Sequence, residues 1–222
     1  MQTRWEAWLF LFLLMLTPAA MADGVHSQKP QLEFQTNLGS FIVELYPDRA
    51  PKTVANFMQY VQSGFYTGTM FHRIIDRFMV QGGGFAVDFQ EKSTYNPIEN
   101  EANNGLKNEP GTLAMARAFD PNSARSQFFI NLSDNKFLNF YKPDPAYFGY
   151  CVFGKVIRGM SIVEKMAKIP TRSVGKFDNV PVENVVIEKV TTLDTPVEPE
   201  QPVRAVPTTP SSKPALKGKK RG

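Results

Sequence analysis

The sequence predicts a mainly β fold in one domain, in which many short strands and two helices make a closed antiparallel barrel capped by helices. Three observations carry this. Short runs with apolar residues at every second position recur between turn-forming residues along most of the chain. Helical spacing of apolar residues occurs in just two places. A chain of 222 residues with 42% hydrophobic content has material for one good core.

Residues 1–22 carry Arg4, an apolar run from Trp8 to Leu16, Pro18 and then Ala20-Met21-Ala22. A short apolar run followed by small residues is the pattern of a secretory signal peptide, here cut near Ala22. A spanning helix needs about 18 or more apolar residues, so an uncleaved membrane anchor is the weaker reading. No cysteine follows the run, which argues against a lipid anchor. An exported protein with no stable membrane anchor is expected, its mature chain opening with a flexible lead-in over residues 23–30.

Gln31–Thr36 and Ser40–Tyr46 read as strands joined by Asn37-Leu38-Gly39, where Asn and Gly supply the positive φ of a tight turn. Phe41, Val43 and Leu45 alternate with Glu44 and Tyr46, as in a half-buried strand. Pro51 suits a first helical turn, and Val54, Phe57, Met58 and Val61 follow at i, i+3, i+4 and i+7 before Gly64. That is an amphipathic helix laid on the sheet. Thr69–Ile75 is strand-like and leads through a short turn to an exposed Phe78-Met79. Phe85–Pro110 is poor in apolar residues and rich in Asn, Glu and Lys. It reads as a long loop, and long loops in compact domains are usually functional.

Gly111–Ala116, Ser126–Leu132 and Tyr150–Val156 return to strand. Cys151 is the single cysteine, so no internal disulfide is possible. It shares a strand face with Phe153 and reads as a packing residue, since a reactive thiol needs an exposed, electropositive setting. Met160, Val163, Met166 and Ala167 give a second helix after Gly159, and Glu183–Leu193 closes the domain with Val186, Ile187 and Val190. From Asp194 a proline-rich tail runs to a basic end, Lys217–Gly222. It has too few large apolar residues to offset ordering entropy and is expected to be disordered over 194–222, leaving a domain of 31–193. Its basic end matches a nucleic-acid patch by composition alone, so no nucleic-acid partner is expected.

The chemistry concentrates in Phe71-His72-Arg73-Ile74-Ile75 and the following Phe78-Met79-Val80-Gln81-Gly82-Gly83-Gly84. An arginine in an apolar strand is costly unless something uses it, because a guanidinium does not shed its charge inside a protein. From spacing alone, a buried ion pair or a snorkelling surface side chain accounts for Arg73 equally well. The three glycines lack the Gly-Lys-Ser/Thr of a phosphate loop. His72 alternates to the face opposite Arg73 and suits a satisfied core histidine. With only His26 besides, and no carboxylate–histidine spacing, neither metal nor cofactor is expected.

Four stretches then point one way: FHRIIDRFMVQGGGF (71–85), GTLAMARA (111–118), SQFFINL (126–132) and FGYCVFGKV (148–156). In order and spacing they closely resemble the motifs of the cyclophilin-type peptidyl-prolyl isomerases, over about Gln31 to Leu193. The likeness is nearest to the periplasmic bacterial members, down to NNGLKNEPGTLAMARAFD (103–120). The resemblance implies an eight-stranded antiparallel β-barrel with a helix at each end and a proline pocket on its outer surface. It implies Arg73 as the catalytic residue and Phe78, Met79, Phe129 and Leu138 as the proline pocket. Gln81 and Gln127 would bind or orient substrate, and Ala116 with the Arg117 backbone would line the adjoining groove. Phe137 and Tyr150, also in the substrate-binding set, stand where eukaryotic relatives carry tryptophan and histidine. Loss of the indole donor implies weak cyclosporin binding at most. Asn139–Gly149, with Pro143 and Pro145, is longer than in compact relatives and reshapes the groove's rim.

The implied function is isomerisation of X-Pro bonds in proline-containing, unfolded or partly folded exported proteins, by a monomer in the periplasm. The reaction needs these residue types. Twisting an X-Pro amide breaks resonance and returns a lone pair to the prolyl nitrogen, which a fixed guanidinium can hydrogen-bond. A proline-peptide binder or holdase with the same groove is the competing reading, and it gives Arg73 nothing to do at the prolyl nitrogen. A tail-driven adaptor with an incidental barrel is a third.

Overall fold

The computed structural model describes residues 29–200. The signal segment expected at 1–22, His26 and the tail beyond 200 lie outside the described residues. Strands β1 (Gln31–Thr36) and β2 (Gly39–Leu45) form the first hairpin, followed by helix α1 (Pro51–Gln62). Then come β3 (Arg73–Ile75), β4 (Met79–Gly82), β5 (Thr112–Met115), β6 (Phe128–Asn131) and β7 (Val152–Arg158). Helix α2 (Met160–Ala167), the hairpin β8 (Thr171–Val174) and β9 (Phe177–Pro181), and β10 (Ile187–Thr192) complete the chain.

Eight strands form one antiparallel sheet in the order β10-β1-β2-β7-β5-β6-β4-β3. The expected closed barrel is found as a curled sheet, because its edge strands β10 and β3 make no ladder with each other. Only one bridge pair, Met70 with Val186, forms before the chain leaves strand geometry on its way to Arg73. Local backbone bonds tie the two ends there, Phe71 N–H to Val185 C=O and Ile187 N–H to Thr69 C=O, both at 2.8 Å. For the same reason the run expected as strand from Thr69 is regular only over its last three residues.

The concave side of the sheet holds the main core. Phe34 stacks on Phe41 at 4.9 Å, and Phe57 of α1 meets Phe128 edge-on at 5.4 Å. The α1 N-cap residue, Ala50, offers no side-chain acceptor. The Glu101 carboxylate, from the long loop, accepts instead from Lys52 N–H at 3.1 Å, Thr53 N–H at 2.8 Å and Thr53 Oγ1 at 2.7 Å. A negative group at a helix N-terminus is favourable, so this contact ties the 85–110 loop to the body. Cys151 is buried beside Thr53, and burial pushes its thiol up to about 11, consistent with packing.

Two features depart from the sequence expectation. The β8–β9 hairpin has almost no apolar alternation, since Thr171, Arg172 and Ser173 are exposed, and it is held through Phe177 against Phe85 and Phe89. Residues 194–200, expected to begin a disordered tail, form a strap across β1 and β7. The Gln31 side-chain amide pairs with the Val197 backbone at 2.7 and 3.1 Å, Arg158 Nε donates to Glu198 C=O at 2.7 Å, and Glu200 N–H donates to Ile157 C=O at 2.7 Å. Hydrogen bonds to body residues, which a composition argument does not see, hold this apolar-poor segment.

Candidate active site

Strand register assembles the site. Arg73 pairs with Gln81, Gln81 with Phe129, and Phe129 with Ala114, so the four stand in one row across β3, β4, β6 and β5. Successive side chains of a strand point to opposite faces. Ile74, Val80, Phe128, Ile130, Leu113 and Met115 enter the main core, which leaves the Arg73 row on the convex side. A second, smaller apolar cluster forms there from Met79, Ala114, Phe129, Leu138 and Val152.

On this face lies a cavity of about 320 Å³ lined by Arg73, Phe78, Met79, Gln81, Ala116, Arg117, Phe129, Leu138 and Tyr150. Nine of the residues singled out from the sequence therefore meet in one place. Gln127 lines an adjoining cavity of about 330 Å³ that shares Gln81, Ala116 and Arg117 with the first. Phe137 lines a third, on the other flank, and its ring stacks on Phe78 at 5.6 Å. Met79, expected to be exposed, is 2% exposed. Pairing with Asn131 in β6 carries it into the cluster, and Phe78 is half-buried above it.

Arg73 is half-buried and donates from Nη1 to Gln81 Oε1 at 3.3 Å. Among the described residues it takes part in no ion pair, so the buried-ion-pair explanation for this arginine does not hold. The amide of Gln81 donates in turn to Gln127 Oε1 at 3.1 Å. That chain of bonds orients both glutamines. It also explains Gly84: a Cβ there would lie 2.5 Å from Gln127 Cγ, so a side chain would displace Gln127.

Sequence reasoning missed the asparagines beneath the pocket. Asn108, Asn131 and Asn135 are all buried. Asn135 Nδ2 donates to Phe78 C=O at 2.9 Å and to Asn131 Oδ1 at 2.7 Å, Asn131 Nδ2 donates to Asn108 Oδ1 at 3.1 Å, and Asn108 Nδ2 donates to Leu138 C=O at 3.1 Å. The network thus joins the backbone of two pocket walls, Phe78 and Leu138. The one available signal was Asn131 inside an apolar strand, Phe128-Phe129-Ile130-Asn131-Leu132.

Arg117 contributes its side chain as well as its backbone. It donates to the carbonyls of Gly149 at 2.9 Å and Pro145 at 3.3 Å, and its guanidinium lies 4.8 Å above the Tyr150 ring. The sequence reading named the Arg117 backbone, and the structure places the side chain along the groove as well. Tyr150 in turn meets Phe129 edge-on at 5.7 Å.

His72 is buried among Phe85 and Phe177. It is the core histidine expected, and among the described residues its Nδ1 has no hydrogen-bond partner. Burial pushes its pKa down to about 4, and the nearby Arg73 charge acts in the same direction.

Comparison with known proteins supplies independent information. Residues 31–192 match the family model described as cyclophilin type peptidyl-prolyl cis-trans isomerase/CLD. The chain is similar to a peptidyl-prolyl cis-trans isomerase of Acinetobacter baylyi, 54% identical over 159 residues, covering 72% of this chain and 83% of that protein. It is similar also to peptidyl-prolyl cis-trans isomerase B of Escherichia coli, 51% identical over 158 residues, covering 71% and 96% of the two chains. Among solved structures, a cyclophilin type isomerase of Cryptosporidium parvum superposes with a TM-score of 0.62 at 27% identity, covering 76% of this chain and 99% of that one.

Proposed function

This chain belongs to the cyclophilin-type peptidyl-prolyl cis-trans isomerases and has that activity, and on that premise we propose that its convex pocket isomerises X-Pro bonds by electrostatic stabilisation of the twisted amide. One observation carries the reading. Arg73 stands at the edge of a cavity walled by Phe78, Met79, Phe129 and Leu138 and, among the described residues, has no carboxylate partner and one side-chain hydrogen bond, to Gln81. A guanidinium so placed keeps donors free for a substrate.

The magnitudes are compatible. A barrier of about 20 kcal/mol corresponds to a rate of about 0.01 per second, so turnover of about 10–10³ per second requires roughly 4–7 kcal/mol of transition-state stabilisation. A hydrogen bond from a charged donor supplies roughly 1.5–3 kcal/mol. Removing the amide carbonyl from water favours the less polar twisted state and contributes further. Phe78, Met79, Phe129 and Leu138 would hold the pyrrolidine ring, with Gln81 and Gln127 meeting the backbone before it. No proton moves and no covalent intermediate forms.

The substrates in this proposal are unfolded, proline-containing chains outside the cytoplasm, met by a monomer exported through the 1–22 segment. Cyclosporin would bind weakly, because Phe137 offers no N–H where an indole would donate.

The test is a protease-free exchange NMR assay of the protein and its Arg73→Ala variant on an Ala-Ala-Pro-Ala peptide. Turnover that collapses in the variant while peptide binding persists is the expected result. Equal turnover in both would remove Arg73 from the chemistry, and binding without turnover in either would favour a proline-peptide holdase.

A further inference from the structure

Seven large apolar side chains are strongly exposed among the described residues, and four of them share one place: Phe119 (76%), Phe137 (75%), Tyr141 (79%) and Tyr147 (52%). Exposed apolar side chains scattered singly need no explanation, whereas a cluster marks an interaction surface. These four line a cavity of about 840 Å³ that shares Arg117 and Tyr150 with the proline pocket, so the two are continuous.

The shelf is built, not merely left open. Residues 139–149 fold back on themselves, with Tyr141 N–H donating to Tyr147 C=O at 3.0 Å, Tyr147 N–H donating to Asp144 C=O at 2.8 Å, and Phe140 packed edge-on against Phe148 at 5.3 Å. Gly149 closes the loop where a Cβ would lie 2.5 Å from Phe140 N. Arg117 clamps both sides of the shelf. Its guanidinium bonds Ala118 C=O at 2.9 Å and Phe119 C=O at 3.0 Å on one side, and the Gly149 and Pro145 carbonyls on the other. The rim lysines are each paired within their own loop, Lys136 with Asp134 at 3.3 Å and Lys142 with Asp144 at 3.9 Å. What remains for a ligand is aromatic surface with the Arg117 guanidinium, bonded to carbonyls, at its base.

We propose that this shelf binds a large apolar or aromatic side chain two to four residues after the proline in the same substrate chain, giving the enzyme a preference for hydrophobic segments of unfolded polypeptides. The inference rests on the proline-pocket reading above. Its direction is part of the proposal: Gln81 and Gln127, on the polar flank, serve the residues before the proline as in the reading above, which leaves the aromatic flank for those after it. Extended chain advances about 3.3–3.6 Å per residue, which keeps the contact local to the proline.

The experiment compares Ala-Ala-Pro-Ala-Phe-Phe-Ala with Ala-Ala-Pro-Ala-Ala-Ala-Ala on the full chain, by titration and exchange NMR. Burying one or two rings should tighten Kd by about five- to twentyfold, with little change in turnover at saturation. The gain should vanish in a Phe119→Ser/Tyr141→Ser variant, whose affinity for the all-alanine peptide should match the parent. Equal Kd for the two peptides, or a gain that survives in the double variant, overturns the proposal. So does a Kd gain from aromatics placed only before the proline. A mass that rises with concentration and reverts in Tyr141→Ser would assign the shelf to self-association and overturn it. A Kd for the aromatic peptide that tightens on truncation after Glu200 would assign the shelf to the protein's own tail, with the same consequence. If neither peptide is isomerised, the proline-pocket reading fails, a result distinct from all of these.

Discussion

Arg73 and Gln81 face each other across the β3–β4 ladder, and the arginine's Nη1 donates to the glutamine's Oε1 at 3.3 Å. That bond is long for one from a charged donor, and it is the Arg73 side chain's sole hydrogen bond among the described residues. The guanidinium is aimed by Gln81 without being consumed by it. Arg73→Ala should lower turnover roughly 10²–10³-fold, as for loss of a preorganised donor. Arg73→Lys should recover little, because an ammonium lacks the planar fork. Gln81→Ala should give a smaller loss. Rates and Kd measured separately check this, with Kd rising far less than turnover falls.

The same arrangement predicts the pH profile. A guanidinium keeps its charge across the neutral range, and His72, with its pKa pushed down to about 4, is neutral there. Turnover should be flat from about pH 6 to 9. A bell-shaped profile would implicate general acid–base chemistry and defeat the mechanism.

His72 also governs acid stability. In the unfolded chain a histidine takes a proton near its ordinary 6.5, whereas in the fold burial holds the pKa down to about 4. Below 6.5 the unfolded state therefore binds more protons. The stability that neutral His72 contributes is complete above that pH and declines as pH falls toward 4, by about 3 kcal/mol in all. Urea titrations at pH 7, 5.5 and 4.5, run on the parent and on His72→Phe, should show the decline shrinking in the variant. An equal decline in both would place acid sensitivity elsewhere.

Asn135 should matter to the pocket without touching its contents. Asn135→Ala leaves Asn131 Oδ1 without this donor and the Phe78 carbonyl with the Leu132 N–H at 2.9 Å in place of two donors, a loss of about 1–3 kcal/mol for a buried network. A lower urea midpoint with a modestly raised peptide Kd is expected, since Phe78 loses one of the two donors that hold its carbonyl. A lower midpoint with unchanged Kd would reduce Asn135 to a stability role.

Truncation distinguishes the strap from the tail. A chain ending at Glu200 keeps the Gln31–Val197 and Arg158–Glu198 bonds and should melt with the parent. One ending at Leu193 exposes the Gln31 amide and should lose about 1–2 kcal/mol, a fall of a few degrees in Tm. Isomerase activity should survive both. Identical melting of the two truncations would mean the strap adds nothing.

Much of this was legible in the chain. The alternation of Phe41, Val43 and Leu45 and the i, i+3, i+4, i+7 spacing of α1 reflect local geometry, and the observed elements follow them within a residue or two. Motif resemblance brought the pocket residues forward by name. The strand-and-turn reading, by contrast, took Met79 as exposed, and it is buried, because exposure depends on what a strand pairs with. The β8–β9 hairpin was missed because tertiary contacts through Phe177 hold it, without an apolar pattern of its own.

By itself, then, the sequence determined both helices and most of the strands, which face of each is apolar, and the family to which the chain belongs. These are properties of neighbours in the chain, and period and motif express them directly. Tertiary structure alone decided that Arg73 has Gln81 and, among the described residues, no carboxylate beside it, that Asn135 holds a carbonyl 57 residues away at Phe78, and that residues 194–200 are strapped down by Gln31. The physical reason is range. A hydrogen bond is set by positions to within a few tenths of an ångström between groups far apart in the chain, and no local pattern carries that information.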